Sequence, residues 1–165
     1  MKAQVRKTLF ILTCLLPFYT WAQTGKFYST DKELSNSLIN KVYQDRRGFI
    51  WISTENGLNR FDGNRFTIYK HNSADSTSLK NNYVRTVFED SSSRFWIGCI
   101  NGLQLYDRAT DSFKEIRIHR EDGRKNPHVT SIIERTNGDI WIATSGQGII
   151  SLKQDKGVNE SRKEE

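Results

Sequence analysis

The sequence predicts an all-β protein built from β-propeller blades, and two observations support this prediction. Trp51, Trp96 and Trp141 recur at a spacing of 45 residues, and periods of about 40–50 residues are typical of propellers and solenoids. Each repeat also consists of short runs rich in Ile, Val, Phe, Tyr and Trp that are separated by turn residues, which is a pattern of strands. The 3.6-residue periodicity that a helical solenoid requires is absent.

The frame around each tryptophan is repeated as well. Equivalent positions hold Leu34 and Leu79, Asn36 and Asn81, Val42, Val87 and Ile132, Asp45 and Asp90, and the Asn-Gly-Leu segments at 56–58 and 101–103. The third copy carries one extra residue, so that Gly148-Ile149 corresponds to Gly57-Leu58. Such coincidences at one fixed period indicate internal repeats.

Four strands are predicted in the first repeat: Ile39–Gln44, Phe49–Thr54, Leu58–Phe61 and Arg65–Lys70. The turn residues between them are Asp45–Gly48, Asn56-Gly57 and Asp62–Asn64, of which Asn-Gly favours a tight hairpin. The second strand is apolar on both faces, as a sheet stacked between two other sheets requires. Four stacked antiparallel strands form a propeller blade. We place blades near residues 34–70, 79–118 and 128–153, within a partial propeller at 23–155.

Residues 1–22 are predicted to be a signal peptide. Lys2, Arg6 and Lys7 precede an apolar run from Thr8 to Trp21, which is the arrangement of a secretory leader. The alternatives are a transmembrane anchor, for which the run is shorter than the roughly 20 residues of a span, and a lipoprotein modified at Cys14. The leader favours a periplasmic location.

The charge distribution argues against nucleic-acid binding. The chain has 25 basic and 19 acidic residues, and three of the basic ones lie in the leader. The remaining charges are interleaved without a basic face, whereas a nucleic-acid interface needs a basic patch. The charged segment 156–165 is predicted to be a disordered tail.

No catalytic residue, metal site or cofactor is predicted, and the ligand-binding residues are unknown. His71, His119 and His128 lack the close spacing of metal ligands, and Cys99 fills the position of Thr54 and Thr144, which indicates a packed side chain. The recurring aspartates lie in turns and are expected to cap them. The tryptophans are expected to pack between blades instead of stacking on sugars, and Trp96→Ala is expected to be the most damaging replacement because the middle blade has two neighbours.

The alternation of strand direction indicates a probable ligand face. The second-to-third turn and the fourth-to-first loop of each blade should emerge on the same side, and long polar loops on a rigid scaffold are the usual place of binding. The segments on this side are Glu55–Asn56, His71–Asn82, Ile100–Asn101, His119–His128 and Ser145–Gln147.

The succession of Asp-x-x-Gly, Trp-Ile-x-Thr, Asn-Gly-Leu and an aromatic-Asp pair resembles the two-component regulator propeller repeat. The resemblance covers Lys26 to Leu152, with departures at Glu33, Ser93 and Cys99. Ser93 stands where a turn glycine is usual, so it is expected to need a left-handed backbone or a different loop. The beginning of the repeats is similar to the periplasmic sensor region of hybrid two-component system histidine kinases in Bacteroidetes.

This resemblance implies a truncated N-terminal piece of a sensor that controls the use of polysaccharides, with no kinase activity of its own. A carbohydrate ligand is expected in the full-length protein, and self-association is expected through the open blade edges. The alternatives are a stand-alone periplasmic scaffold or binding protein and a propeller enzyme, either a lyase or a glycosidase. A sialidase is disfavoured because its Asp-box is one residue shorter than the interval from Asp45 to Trp51.

Overall fold

The computed structural model describes residues 25–30, 33–118 and 126–153, which form eleven strands and no helix. The strands are β1 (Ile39–Gln44), β2 (Ile50–Thr54), β3 (Gly57–Phe61), β4 (Phe66–Tyr69), β5 (Val84–Glu89), β6 (Phe95–Cys99), β7 (Gly102–Asp107), β8 (Ser112–Ile116), β9 (Val129–Glu134), β10 (Ile140–Thr144) and β11 (Ile149–Leu152). The predicted leader and the predicted tail lie outside the described residues.

The strands form three antiparallel sheets in simple meander order. Blade 1 contains β1 to β4, blade 2 contains β5 to β8, and blade 3 contains β9 to β11. The four strands predicted for the first repeat are all present, with ends that differ by at most one residue from the prediction. The predicted all-β architecture with propeller blades is therefore confirmed.

Two turns show why particular residues stand where the chain reverses. Gly57 has a φ of +134°, and a Cβ added there would lie 2.8 Å from the carbonyl oxygen of Tyr69. Ser93 has a φ of +63°, where the equivalent Gly48 has +88°. Of the two alternatives predicted for Ser93, a left-handed backbone or a different loop, the left-handed backbone is the one it adopts.

The blades stack through their innermost strands. Strands β1 and β2 contact β5, and β5 and β6 contact β9. Each junction encloses its own apolar core, so every buried face is shared between two sheets. The first core includes Trp51, Leu58, Val84, Val87, Phe95, Ile97, Tyr106 and Phe113, and the second includes Trp96, Leu103, Val129, Ile132, Ile140 and Ile142.

The tryptophans of blades 1 and 2 each face the blade that follows. The ring centroid of Trp51 lies 4.6 Å from that of Phe95 and 4.9 Å from that of Tyr106, both in blade 2. Trp51 is 0% exposed and Trp96 is 4% exposed, whereas Trp141 is only partly buried. Burial depends on the following blade and not on having two neighbours, so it gives no reason to expect the loss of Trp96 to be more damaging than the loss of Trp51. The interblade packing role of the tryptophans is nevertheless what the structure shows.

A turn aspartate holds the tryptophan in the first two blades. Asp45 Oδ2 accepts a hydrogen bond from Trp51 Nε1 at 2.8 Å, and Oδ1 accepts the backbone N–H groups of Arg47 and Phe49 at 3.0 Å. Asp90 accepts the same three kinds of bond in blade 2, including Trp96 Nε1 at 2.8 Å. The capping role predicted for these two aspartates agrees with this geometry.

Blade 3 lacks this aspartate. Arg135 occupies the position, and its guanidinium carbon lies 5.0 Å from the centroid of the Trp141 ring. Trp141 Nε1 is buried and has no acceptor within the described parts of the chain. A buried donor without an acceptor reduces stability, so blade 3 is held less firmly than the other two.

The tryptophan positions predict an unequal series of alanine variants. Trp51→Ala and Trp96→Ala should each lower the free energy of unfolding by about 3–5 kcal/mol, the usual loss for a core tryptophan. Trp141→Ala should have a clearly smaller effect because its ring is partly exposed. Parallel chemical denaturation of the three variants measures this order, and an equal loss for all three would contradict it.

Restoring the repeat aspartate in blade 3 should stabilise the protein. We expect Arg135→Asp to raise the free energy of unfolding by about 1 kcal/mol, because it supplies an acceptor for Trp141 Nε1. The matched variant Arg135→Ala removes the guanidinium from the ring without supplying an acceptor, and should lower stability slightly. Thermal melts of both variants test the argument, which fails if the aspartate variant is the less stable of the two.

Candidate functional site

One side of the blades collects the interblade loops. The turn after the second strand of each blade is bonded to the chain just before the first strand. The backbone N–H of Glu55 donates to the carbonyl oxygen of residue 38 at 3.2 Å, that of Ile100 to residue 83 at 3.3 Å, and that of Ser145 to residue 128 at 2.8 Å. The second-to-third turns therefore meet the incoming loops on one side, as the strand directions predicted. We term this side the loop face; its described segments are 55–56, 71–82, 100–101, 126–128 and 145–147.

A polar cluster lies on the loop face where blades 1 and 2 meet. Tyr83 Oη donates to Glu55 Oε1 at 2.7 Å, and Arg85 Nη1 donates to Tyr83 Oη at 3.2 Å. Arg85 Nη1 also reaches Asn40 Oδ1 at 3.5 Å, and Asn40 Nδ2 donates to the carbonyl oxygen of Val84 at 2.8 Å. Four side chains of different chemistry are thus fixed at one junction, and all four are partly buried.

The electrostatics of this cluster keep the phenol protonated. The hydrogen bond to Glu55 is the main reason that the pKa of Tyr83 lies above its usual value, and burial adds to the increase. Glu55 and Arg85 place a carboxylate acceptor and a guanidinium donor on either side of that hydroxyl. A carboxylate, a phenol, a guanidinium and an amide together match the donors and acceptors of a hydroxyl-rich ligand.

The loop at 71–82 is ordered by its own polar side chains. His71 Nδ1 lies 2.6 Å from the carbonyl oxygen of Leu79, and Asp75 Oδ1 accepts the backbone N–H of Thr77 at 2.9 Å. The carbonyl oxygen of Thr77 accepts the N–H of Phe113 at 2.7 Å, which fastens the loop to β8. An open cleft of about 530 Å³ lies between residues 76–77 of this loop and strands β7 and β8.

The second junction on the loop face has a different character. At this junction His128 is equivalent to Tyr83. Ile100 is equivalent to Glu55, so the carboxylate that accepts the hydrogen bond from Tyr83 at the first junction is missing. His128 Nε2 and Asn101 Oδ1 are buried and find no partner among the described residues. His119 lies outside those residues.

The opposite side of the blades carries a buried ion triad that joins blades 1 and 2. Arg108 Nη1 donates to Asp45 Oδ2 at 2.8 Å, and Arg108 Nη2 donates to Glu89 Oε1 at 3.1 Å. The side chains of Asp45, Glu89 and Arg108 are 0, 2 and 13% exposed. Sequence reasoning missed Arg108, because the equivalent position in the first repeat is Gly63 and the repeat pattern therefore does not mark it.

The triad determines the ionisation of Asp45. Burial by itself raises the pKa of this carboxyl, but the hydrogen bonds from Trp51 and Arg108 and the charge of Arg108 outweigh burial, so the net pKa lies below the usual value of 3.8. The carboxylate is therefore charged at neutral pH and pairs with Arg108 between blades 1 and 2. This geometry assigns Asp45 a structural role and not an acid–base role.

A second polar cluster joins the same two blades farther out. Asp111 Oδ1 accepts hydrogen bonds from Tyr69 Oη at 2.7 Å and from Tyr106 Oη, and it pairs with Arg60 Nη1 at 3.2 Å. Burial is the main cause that raises the pKa of both tyrosines. Both phenols thus remain donors, and their contacts lie within the junction.

The remaining candidate residues are accounted for in structural terms. Cys99 is fully buried, and burial raises the pKa of its thiol to about 12, which suits a packed side chain. In the described ranges no three His, Cys, Asp or Glu residues converge as a metal site would require. No helix there is long and apolar enough to cross a membrane.

The three repeats match a known family model. The family described as Two component regulator propeller matches residues 33–56, 78–101 and 123–146. A histidine kinase of Formosa agariphila is 48% identical over 46 residues, which is 28% of this chain and 3% of the kinase.

Two solved extracellular domains from B. thetaiotaomicron, both of proteins assigned as hybrid two component systems, share the fold. One is 31% identical with a TM-score of 0.68 over 77% of this chain, and the other is 27% identical with a TM-score of 0.65 over 79% of it. The matched parts are 18 and 19% of those domains. This chain thus spans less than a fifth of the domains that it resembles.

The ion triad predicts how stability depends on pH. Because the pKa of Asp45 is lower in the folded protein, its contribution is complete above about pH 4 and is lost as the pH falls through the folded pKa. Asp45→Asn should lower the free energy of unfolding at neutral pH by about 3 kcal/mol. It should also flatten the decline in melting temperature below pH 4.

The matched control is Asp62→Asn. Asp62 also caps a turn, accepting the N–H groups of Asn64 and Arg65 at 2.8 Å, but no buried partner depends on it. Melting curves from acid to neutral pH should show the larger loss for the Asp45 variant. Equal losses would mean that turn capping alone, without Trp51 and Arg108, explains the role of Asp45.

Proposed function

We propose that the chain forms part of the periplasmic ligand-sensing propeller of a hybrid two-component system. Its three repeats match the two component regulator propeller family. The observation that carries the proposal is the 31% identity to a solved extracellular domain of such a system. The predicted leader 1–22 supports export. In this proposal the described strands supply binding surface, and kinase activity belongs to other modules.

We further propose that the ligand is an oligosaccharide and that it contacts the loop face. The cluster of Glu55, Tyr83 and Arg85 supports this proposal, because its carboxylate, phenol and guanidinium can pair with sugar hydroxyls in both directions. The contrast with the opposite side also supports it. There the polar groups, such as Asp45 and Arg108, are committed to buried pairs between blades.

The enzyme alternative receives less support from the same contacts. Acid–base catalysis needs a titratable pair with access to a substrate. Of the carboxylates in the described blades, Asp45, Glu89 and Asp90 are buried in turn caps or ion pairs. Glu55 on the loop face is bonded to the hydroxyl of Tyr83, and this bond raises the pKa of Tyr83 and keeps the phenol protonated. A stand-alone periplasmic binding protein would use the same loop face, so that alternative differs in signalling and not in where the ligand sits.

Residue-level titration tests the ligand face. Because three blades carry only part of the loops that a ring would present, we expect weak binding, which NMR detects at millimolar ligand. Addition of a panel of neutral oligosaccharides to ¹⁵N-labelled protein should shift the amide resonances of Glu55, Tyr83 and Arg85. It should leave those of the turns at 45–48 and 62–65 unchanged.

Tyr83→Phe provides the decisive variant, since it removes one hydroxyl and keeps the ring. It should reduce the shifts at a given ligand concentration several-fold, while Asp62→Asn on the opposite side should leave them unchanged. The proposal of an oligosaccharide ligand at the loop face is rejected if no sugar shifts these resonances, or if shifts concentrate on the opposite turns.

A further inference from the structure

The first strand of every blade carries one residue that the neighbouring strand does not match. Asn40 in β1 has no partner in β2, because the pairing passes directly from Ile39 to Lys41. Arg85 in β5 and Thr130 in β9 are left out of the pairing with β6 and β10 in the same way. A β-bulge of this kind re-aims the side chain of its extra residue. We term Asn40, Arg85 and Thr130 the bulge residues; each follows by two residues a carbonyl oxygen that binds a second-to-third turn on the loop face.

The repeat keeps this bulge and varies the side chain on it. The preceding residue is apolar in all three blades, whereas the bulge residues are an amide, a guanidinium and a hydroxyl. All three bulge residues are partly buried. Packing therefore fixes the backbone at this position without fixing the side chain, which is the arrangement expected where a rigid scaffold presents residues to a ligand.

The guanidinium of Arg85 is held by only one of its nitrogens. Nη1 lies 3.2 Å from Tyr83 Oη and 3.5 Å from Asn40 Oδ1, and the guanidinium carbon lies 5.8 Å from the centroid of the Tyr83 ring. Asn40 is itself fixed, because its Nδ2 donates to the carbonyl oxygen of Val84 at 2.8 Å. Nε and Nη2 of Arg85 have no partner among the described residues, and neither atom is buried. The side chain is thus anchored from one side, and the edge formed by Nε and Nη2 is free.

The charge of Arg85 also has no matching carboxylate. Arg60 and Arg108, which are partly buried at the same junction, each pair with a carboxylate at 3.2 and 2.8 Å. Arg85 forms no such ion pair within the described blades; the carboxylate of Glu55 accepts from Tyr83 Oη at 2.7 Å, so the phenol lies between the two charges. Strand β5 contacts β1 on one side and β9 on the other. Arg85 therefore lies inside the array of blades and not at either of its ends.

The free edge and its surroundings suit two different chemical groups. Two parallel N–H donors on a charged guanidinium match the two oxygens of a carboxylate, and such paired, charge-assisted bonds are stronger than neutral ones. The groups around Arg85, which are the carboxylate of Glu55, the phenol of Tyr83 and the amide of Asn40, match hydroxyls instead. A ligand that fits both carries an acid and several hydroxyls close together. A uronic acid has this arrangement within one sugar ring.

We propose that Arg85 makes the loop face selective for acidic oligosaccharides, by binding the carboxylate of a uronic acid residue through Nε and Nη2. The hydroxyls of the same sugar ring pair with Glu55 and Tyr83. The other two bulge residues, Asn40 and Thr130, are neutral, so the preference for an acid comes from blade 2. This inference rests on the proposed oligosaccharide ligand and adds the charge of that ligand.

Matched pairs of acidic and neutral sugars test the inference. ¹⁵N-labelled protein is titrated with trimers of galacturonate, mannuronate and guluronate, and with the methyl ester of each, which keeps the hydroxyls and removes the charge. At least one acid should shift the Nε–H resonance of Arg85 and bind several-fold more tightly than its ester. Raising the NaCl concentration should reduce this preference, because salt screens charge pairs that solvent can reach.

Substitutions at the bulge assign the preference to Arg85. Arg85→Asn introduces the residue that blade 1 carries at the same bulge, so the backbone should tolerate it, and circular dichroism checks the fold. This variant should bind an acid and its ester equally well. Arg85→Lys keeps the charge without the two-nitrogen edge and should retain only part of the preference. The control is Arg47→Asn, in which an exposed arginine of the turn at 45–48 on the opposite side is removed; it should leave the preference unchanged.

The outcomes separate this inference from the proposed function. Equal affinity for acids and esters, with shifts that still concentrate on the loop face, would overturn the role of Arg85 and leave the oligosaccharide proposal standing. A sulfated galactan trimer that shifts the Arg85 resonance when no uronate does would overturn the assignment to a carboxylate. If acids, esters and sulfated sugars all leave the loop face unshifted, the inference and the proposed function are rejected together.

Discussion

Blades 1 and 2 each depend on the burial of one tryptophan against the next sheet. The indole ring is buried at the junction, and its single polar atom is held by the aspartate of the turn that precedes its strand. One side chain thereby links the geometry of a turn, the position of a strand and the packing of two sheets. Where the aspartate is present, as at Asp45 and Asp90, the ring and the turn stabilise each other.

The two internal junctions solve the same packing problem with different chemistry. Between blades 1 and 2, stacked aromatic rings are combined with ion pairs from Arg60 and Arg108. Between blades 2 and 3, aliphatic side chains such as Val129, Ile132 and Ile142 dominate. The backbone frame is constant because the turns recur, while the side chains that fill the junction are free to vary as long as the volume is filled and each buried charge has a partner.

Much of this fold follows from local sequence. The spacing of the tryptophans and the turn residues Asp45–Gly48 and Asn56-Gly57 define the strands within about one residue, and the strand directions define the loop face. The triad at Arg108 does not follow, because an interblade ion pair depends on which residues face each other across a junction. The sequence also does not indicate which adjacent blade Trp51 packs against, because its strand is apolar on both faces.

The contrast between the junctions has a consequence for how the array comes apart. Repeat proteins unfold according to the strength of each nearest-neighbour interface, and apolar interfaces weaken on cooling as hydrophobic burial loses its driving force. The interface between blades 2 and 3 is aliphatic, and the indole N–H of Trp141 finds no acceptor among the described residues, so this interface is the weaker of the two. Unfolding should therefore start as local fraying of blade 3, and at low temperature blades 1 and 2 should persist as a pair after the third has opened.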